Sequence, residues 1–293
     1  MSDGWTYEFS LPILGESERL FAALTAEGEL EAWFAEHARV DAREGGRFQF
    51  WGRHTVGTPG EGEAGGVITE FRPDERLAFE WELFGAPSTV TISLAPENTE
   101  EGPATRVAIE HAFERLFEGP RAKELVDDWW RFNLGNLASH AADQGEVMRV
   151  DFADESPEIR LSLRMEAPPE RVYRALTEPE DLNRWIAKDA KVDLREGGRW
   201  DLGFMSAADV EREGRTMEIL ELVPDRKLVV SWPDWRGDAS VPLQSVTWLL
   251  EPDGDGTRVT LIHSGFVRAV DLSDYPFGWG HFMGQLKDVV ERS

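Results

Sequence analysis

Among its 293 residues the chain has no cysteine, which excludes a disulfide framework, a thiolate nucleophile and a thiolate metal site together. Positive charge is scarce: 31 Lys and Arg face 56 Asp and Glu, for a formal net charge of -25. A field of that sign repels phosphate backbones and acidic lipid headgroups, so nucleic acid and anionic membranes are poor partners and a neutral or cationic one fits better. No 18 consecutive apolar residues occur, and the opening Met-Ser-Asp-Gly-Trp has neither a basic nor an apolar leader region. Membrane insertion is therefore not expected, and a cytoplasmic protein is. The six His are scattered rather than set at ligand spacing, so neither metal nor cofactor is expected. What is present is ordinary globular material, 41% hydrophobic with 12 Trp, enough for about two domains.

Self-similarity organises that material. Asp41-Ala-Arg-Glu-Gly-Gly-Arg-Phe48 returns as Asp193-Leu-Arg-Glu-Gly-Gly-Arg-Trp200, 152 residues on. The same spacing joins Trp33 to Trp185 and Thr105-Arg106-Val107 to Thr257-Arg258-Val259, and a spacing of 151 joins Trp81 to Trp232. A period of that size is a domain and not a solenoid repeat, so the chain reads as a tandem duplication. The expected domains are residues 1–147 and 154–293, with the junction around Gly145 to Pro157.

Each copy has the same order of periodicities. A short alternating strand (Tyr7, Phe9, Leu11; Ile159, Leu161, Leu163) leads into a helical stretch, 16–24 or 169–176. A second short helix follows, with Leu30, Trp33 and Phe34, or Leu182, Trp185 and Ile186, on one face. After the Gly-Gly turn, period-two alternation predicts strands near 47–52, 64–71, 77–83, 88–95 and 105–113, repeated in the second copy, before a long terminal helix over 120–144 or 275–291. The fold class expected is α+β: two helix-grip domains, each a curved antiparallel sheet wrapped around a long C-terminal helix.

Strand parity selects the inward face. Phe50, Trp81 and His111 point inward in the first copy, and Trp200, Phe204, Val230, Trp232 and His263 in the second, with Trp248 in the same aromatic set. Trp130 and, in the second copy, Trp279 and Phe282 come from the terminal helices. These twelve residues are the candidate pocket lining, open to two readings: the wall of a cavity or a filled aromatic core. The two His are equally open, as groups that orient a ligand or act as a base, or as core histidines with protein partners. No catalytic residue is assigned, because Ser264 adjoins His263 on a strand and so faces the other way. The Gly-rich run 57–66 lacks a phosphate-loop pattern and reads as a hairpin tip. Glu80, Glu82, Glu110 and Glu251 alternate with apolar neighbours and should face solvent.

The second half, through Trp185, Arg195-Glu-Gly-Gly198, Pro224-Asp225, Trp232, His263-Ser-Gly-Phe266 and Trp279, resembles the heat-shock-protein-90 ATPase activator homologue family. The first half is similar but carries His111-Ala-Phe113 in place of His-Ser-Gly-Phe. That family belongs to the START-like superfamily, which also holds polyketide cyclases, birch-pollen-type allergens and lipid-transfer domains. The resemblance implies a helix-grip fold, also called Bet v 1-like, around a hydrophobic cavity. It places three functions side by side: non-enzymatic binding of a small apolar or amphipathic ligand, a chaperone cofactor or protein-interaction module, and a cyclase or hydrolase using an inward His.

Overall fold

The computed structural model describes residues 4–142, 147–203, 217–238 and 240–292. The chain forms two compact units, Met1–Asp154 with Ala269–Asp274, and Glu155–Arg268 with Tyr275–Ser293. The first unit runs β1 (Trp5–Leu14), α1 (Ser17–Thr25), α2 (Glu27–Trp33), β2 (His37–Val40), β3 (Arg47–Trp51), β4 (Gly65–Arg72), β5 (Arg76–Leu83), β6 (Ala86–Thr99), β7 (Gly102–Phe113) and α3 (Ala122–Ala141). Its seven strands make one antiparallel sheet, ordered β1-β7-β6-β5-β4-β3-β2. The second unit holds β8 (Ile159–Met165), α4 (Pro169–Thr177), α5 (Pro179–Leu182), β9 (Lys191–Val192), β10 (Trp200–Asp201), β11 (Ile219–Val223), β12 (Lys227–Trp232), β13 (Gln244–Asp253), β14 (Gly256–Ser264) and α6 (Tyr275–Glu291). Its sheet is ordered β11-β12-β13-β14-β8, with β9 and β10 as a separate pair. Both units are α+β, with antiparallel sheets and a long terminal helix, as expected.

The repeated motifs are joints. In the Gly-Gly turns a Cβ on Gly46 would stand 2.0 Å from the Asp41 carbonyl oxygen, and one on Gly198 stands at the same distance from that of Asp193. Only glycine permits that approach. The turns are then sewn to β4 and β11, Gly45 N–H to Ile68 O and Gly197 N–H to Ile219 O, each at 2.8 Å. The Pro-Asp motifs are hairpin turns: proline sets the first corner, and Asp74 or Asp225 takes the left-handed second one at φ 63 or 60. Thr105 donates to Gly15 O and Thr257 to Ala167 O, at 2.8 and 2.7 Å, fixing the end of the first strand of each copy. The Trp33 indole N–H donates from α2 to Ala23 O, and that of Trp185, in the turn that follows the short α5, donates to Ala175 O, both at 2.9 Å, pinning each segment to the helix before it.

In the first copy the strands lie where alternation put them, and β2 is an added one, paired with β3 from His37↔Trp51 to Val40↔Phe48. Four residues are too few for a period to register. In the second copy β9 is likewise added, paired with the two-residue β10, and the expected strands there fall partly on residues 204–216, outside the described set. Helix α3 ends at Ala141, and residues 143–146 lie outside the described set. The segment after them is part of the first unit. Asn136 clasps Met148, accepting from its N–H at 2.8 Å and donating to its O at 3.1 Å, and Arg149 donates to the carbonyls of Glu31 and Ala32 at the end of α2. Phe152 then packs against Trp129 and Phe132, with ring centroids at 5.2 and 5.8 Å. A polar-looking junction is thus a strap, held by side chains far away in sequence.

Candidate functional site

In the first unit the interior between sheet and α3 is built on His111. Strand register puts His111 opposite Val90 of β6, and Ser88, two residues earlier, opposite Trp81 of β5. Ser88, Trp81 and His111 therefore share the inner face. The His111 ring stacks on Trp81 at 5.3 Å with planes 9° apart. The Trp130 indole N–H donates to its Nδ1 at 3.1 Å, and its Nε2 meets Ser88 Oγ at 2.8 Å.

The second unit repeats the arrangement. His263 lies opposite Val246 of β13, and Gln244, two residues earlier, lies opposite Trp232 of β12. The Trp279 indole N–H donates to His263 Nδ1 at 3.0 Å, and Nε2 meets Gln244 Oε1 at 2.8 Å. Trp232 packs against the rings of Trp279 and His263 at 5.0 and 5.9 Å.

The partners decide the chemistry. An indole nitrogen only donates, so Nδ1 of each His is an acceptor and the ring proton sits on Nε2. From there the N–H donates to Gln244 Oε1 or to Ser88 Oγ, and the Ser88 hydroxyl in turn donates a hydrogen bond to Trp81 O at 2.5 Å. Burial pushes both imidazoles down to about 3 from the ordinary 6.5, because a charged ring would be stranded in apolar surroundings. At neutral pH each ring is neutral, with both nitrogens engaged and no lone pair left for a substrate proton. Neither is poised as a general base.

Of the other candidates, Phe50, Trp81 and Trp130 are buried in the first unit, and Trp200, Val230, Trp248 and Trp279 in the second. Phe204 lies outside the described residues. Phe282 is half-buried and near Trp279, with ring centroids 6.2 Å apart. In the first unit the rings touch one another: Phe50 meets Trp81 at 5.2 Å, Trp81 meets Trp129 at 6.3 Å, and Phe34 fills in against Phe50 at 4.9 Å. At one matched position the copies differ in burial. Trp81 is 2% exposed, whereas Trp232, its register counterpart, stays half-buried at the end of its strand. The Nε1 atoms of Trp248 and Trp129, one in each unit, are buried without a hydrogen-bond acceptor among the described residues.

Ser88 and Gln244 do not stand out in the sequence. They are 156 residues apart, off the common period, because a two-residue turn after β5 becomes the connection 233–243 after β12. Only counting back along the strand from the residue opposite each His finds them. Glu80, Glu82, Glu110 and Glu251 are exposed, as alternation predicts. Among the described residues no group of acidic, His or Cys side chains could hold a metal ion, and no helix is long and apolar enough to cross a membrane.

The family described as Activator of Hsp90 ATPase homolog 1-like protein matches the chain twice, over residues 16–142 and 166–291. No curated protein matches it significantly. Among solved structures, an AHSA1-like protein of Rhizobium etli is 32% identical over 47% of this chain and 83% of its own, with a TM-score of 0.39. CalU16 from Micromonospora echinospora is 29% identical over 46% of this chain and 76% of its own, with a TM-score of 0.38. DynU16, from the dynemicin biosynthetic locus, is 17% identical over 97% of this chain and 98% of its own, with a TM-score of 0.39.

Proposed function

Because the chain belongs to the Activator of Hsp90 ATPase homolog 1-like family, in two copies, we propose that its second unit binds a small apolar or amphipathic molecule non-covalently between sheet and α6, while the first serves as a closed scaffold. The observation that carries this reading is the half-buried Trp232 against the sealed Trp81 at the same register position. Around Trp232 the lining is aromatic, with Trp279 and His263 in ring contact, the composition of a site that takes apolar ligands. The reading is non-catalytic, because both ring nitrogens of His263 are taken by protein partners.

Native mass spectrometry of protein purified from its own host, followed by small-molecule analysis of a denatured extract, tests it. A bound apolar compound is expected, and Trp232→Ala should lower occupancy of the re-added compound by about tenfold, the size of losing a central aromatic contact. A clean mass, together with no saturable binding of a hydrophobic fluorescent probe, would overturn it.

A further inference from the structure

The outer face of the seven-stranded sheet is used by neither grip. On it Glu8 lies directly opposite Glu110, and Glu110 opposite Thr91. Like charges facing each other across a strand pair destabilise it. One row along, Ala112 lies opposite Thr89, and Thr89 opposite Glu80. Glu82 and Glu114 continue the acidic row toward the β5–β6 turn, and all five carboxylates are exposed. Among the described residues none of the five has an ion-pair partner, although on the same sheet Glu70 is held by Arg72 and Arg76, and Glu97 by Arg106. Shallow troughs of about 480 and 400 Å³ run beside the acidic side chains over the small residues Thr91, Ala108, Thr89 and Ala112, the first also edged by Arg76, whose charge is paired with Glu70.

The face ends in an aromatic groove of about 490 Å³ between the β5–β6 turn and residues 114–118, which shares Pro87 and Glu114 with the neighbouring trough and in which Arg115 is flanked by Glu114 and, three residues on, Glu118. Its wall is Phe84, 51% exposed, with its ring 5.1 Å from that of Phe117. Phe84 holds φ 51, a left-handed conformation that costs a non-glycine residue about 1–2 kcal/mol. Such a hairpin corner favours Asn or Gly. Here a strained backbone presents a large ring to solvent, where it contributes little to the core.

We propose that this face of the first unit docks an extended basic segment of a partner protein, seating one apolar side chain against Phe84 and Phe117 and its Lys or Arg side chains over Glu80, Glu82, Glu110 and Glu114. Charge complementarity selects the occupant: five unpaired carboxylates attract a cationic chain, and a net charge of -25 disfavours a second copy of this protein. An extended segment points alternate side chains to one side, the spacing needed to meet carboxylates set on successive rows of a sheet. This surface is separate from the grip of the second unit, so either proposal can fail without the other.

Fluorescence polarisation of a labelled peptide of alternating lysine and alanine with a terminal phenylalanine, titrated with the full chain at low ionic strength, tests it. Saturable binding is expected, weakened about tenfold by the double variant Glu80→Lys, Glu110→Lys. Phe84→Gly should also weaken binding while leaving the melting temperature unchanged or higher, which separates a lost contact from a lost fold. The control is Glu170→Lys with Glu180→Lys on the second unit, both exposed carboxylates. Equal weakening by that control would reduce the effect to net charge and overturn the proposal, as would failure of the peptide to bind or unchanged affinity in Phe84→Gly.

Discussion

Trp279 donates its indole N–H to Nδ1 of His263 across 3.0 Å, tying the terminal helix to the sheet at the one nitrogen that carries no proton. Trp130 does the same for His111 at 3.1 Å, so each copy closes its grip with one bond between a helix indole and a strand imidazole. Each bond fixes a tautomer, and the tautomer fixes what the other nitrogen can do.

Replacing Trp279 with Phe keeps the ring's bulk and removes the donor. His263 Nδ1 is then a buried acceptor without a partner, a defect worth about 1–3 kcal/mol. Urea unfolding of Trp279→Phe should show a loss of that size, and Trp130→Phe a similar loss.

Acid should weaken the fold through the same histidines. Each folded imidazole titrates at about 3 and its unfolded counterpart near 6.5, so between those values the unfolded chain binds more protons than the folded one. The neutral, bonded imidazole contributes stability that is complete above about pH 6.5 and is lost progressively as pH falls toward 3. Melting temperatures measured from neutral pH to pH 5 should fall, and His111→Gln should fall less steeply than the parent chain. Parallel slopes would contradict the assignment.

Adjacent glycines in one turn should respond very differently to alanine. At Gly45 a Cβ meets nothing within 4 Å and the cost is that of φ 77, about 1–2 kcal/mol. At Gly46 the Cβ collides with the backbone oxygen of Asp41, so Gly46→Ala should lose several kcal/mol or fail to accumulate as folded protein. Circular dichroism melts of the two variants, side by side, check this.

Asn136→Ala should release the strap. It removes both bonds to Met148 and the one to Trp33 O, and limited trypsin digestion should then cut after Arg149 faster than in the parent chain. Unchanged cleavage would mean that Phe152 and Arg149 hold the segment by themselves.

Much of this was legible in the residues. The duplication, the α+β class and the strands of the first sheet follow from repeats and parity, which are local properties of the chain. The inward His of each copy was legible for the same reason. Short β2 was not, because four residues carry too little pattern, and Ser88 and Gln244 were not, because the connections between strands differ in length and break the repeat spacing.

The sequence by itself determined which faces are apolar, where glycine must sit and that each sheet carries a histidine on its inner side. Only the tertiary structure decided what those histidines do, because their partners come from another strand and from a helix 16 or more residues away. It also decided that one tryptophan of a matched pair is sealed and the other is half-open. Alternation along a strand sets which way a side chain faces, but how completely an inward residue at a strand end is covered depends on everything packed around it, which no local pattern encodes.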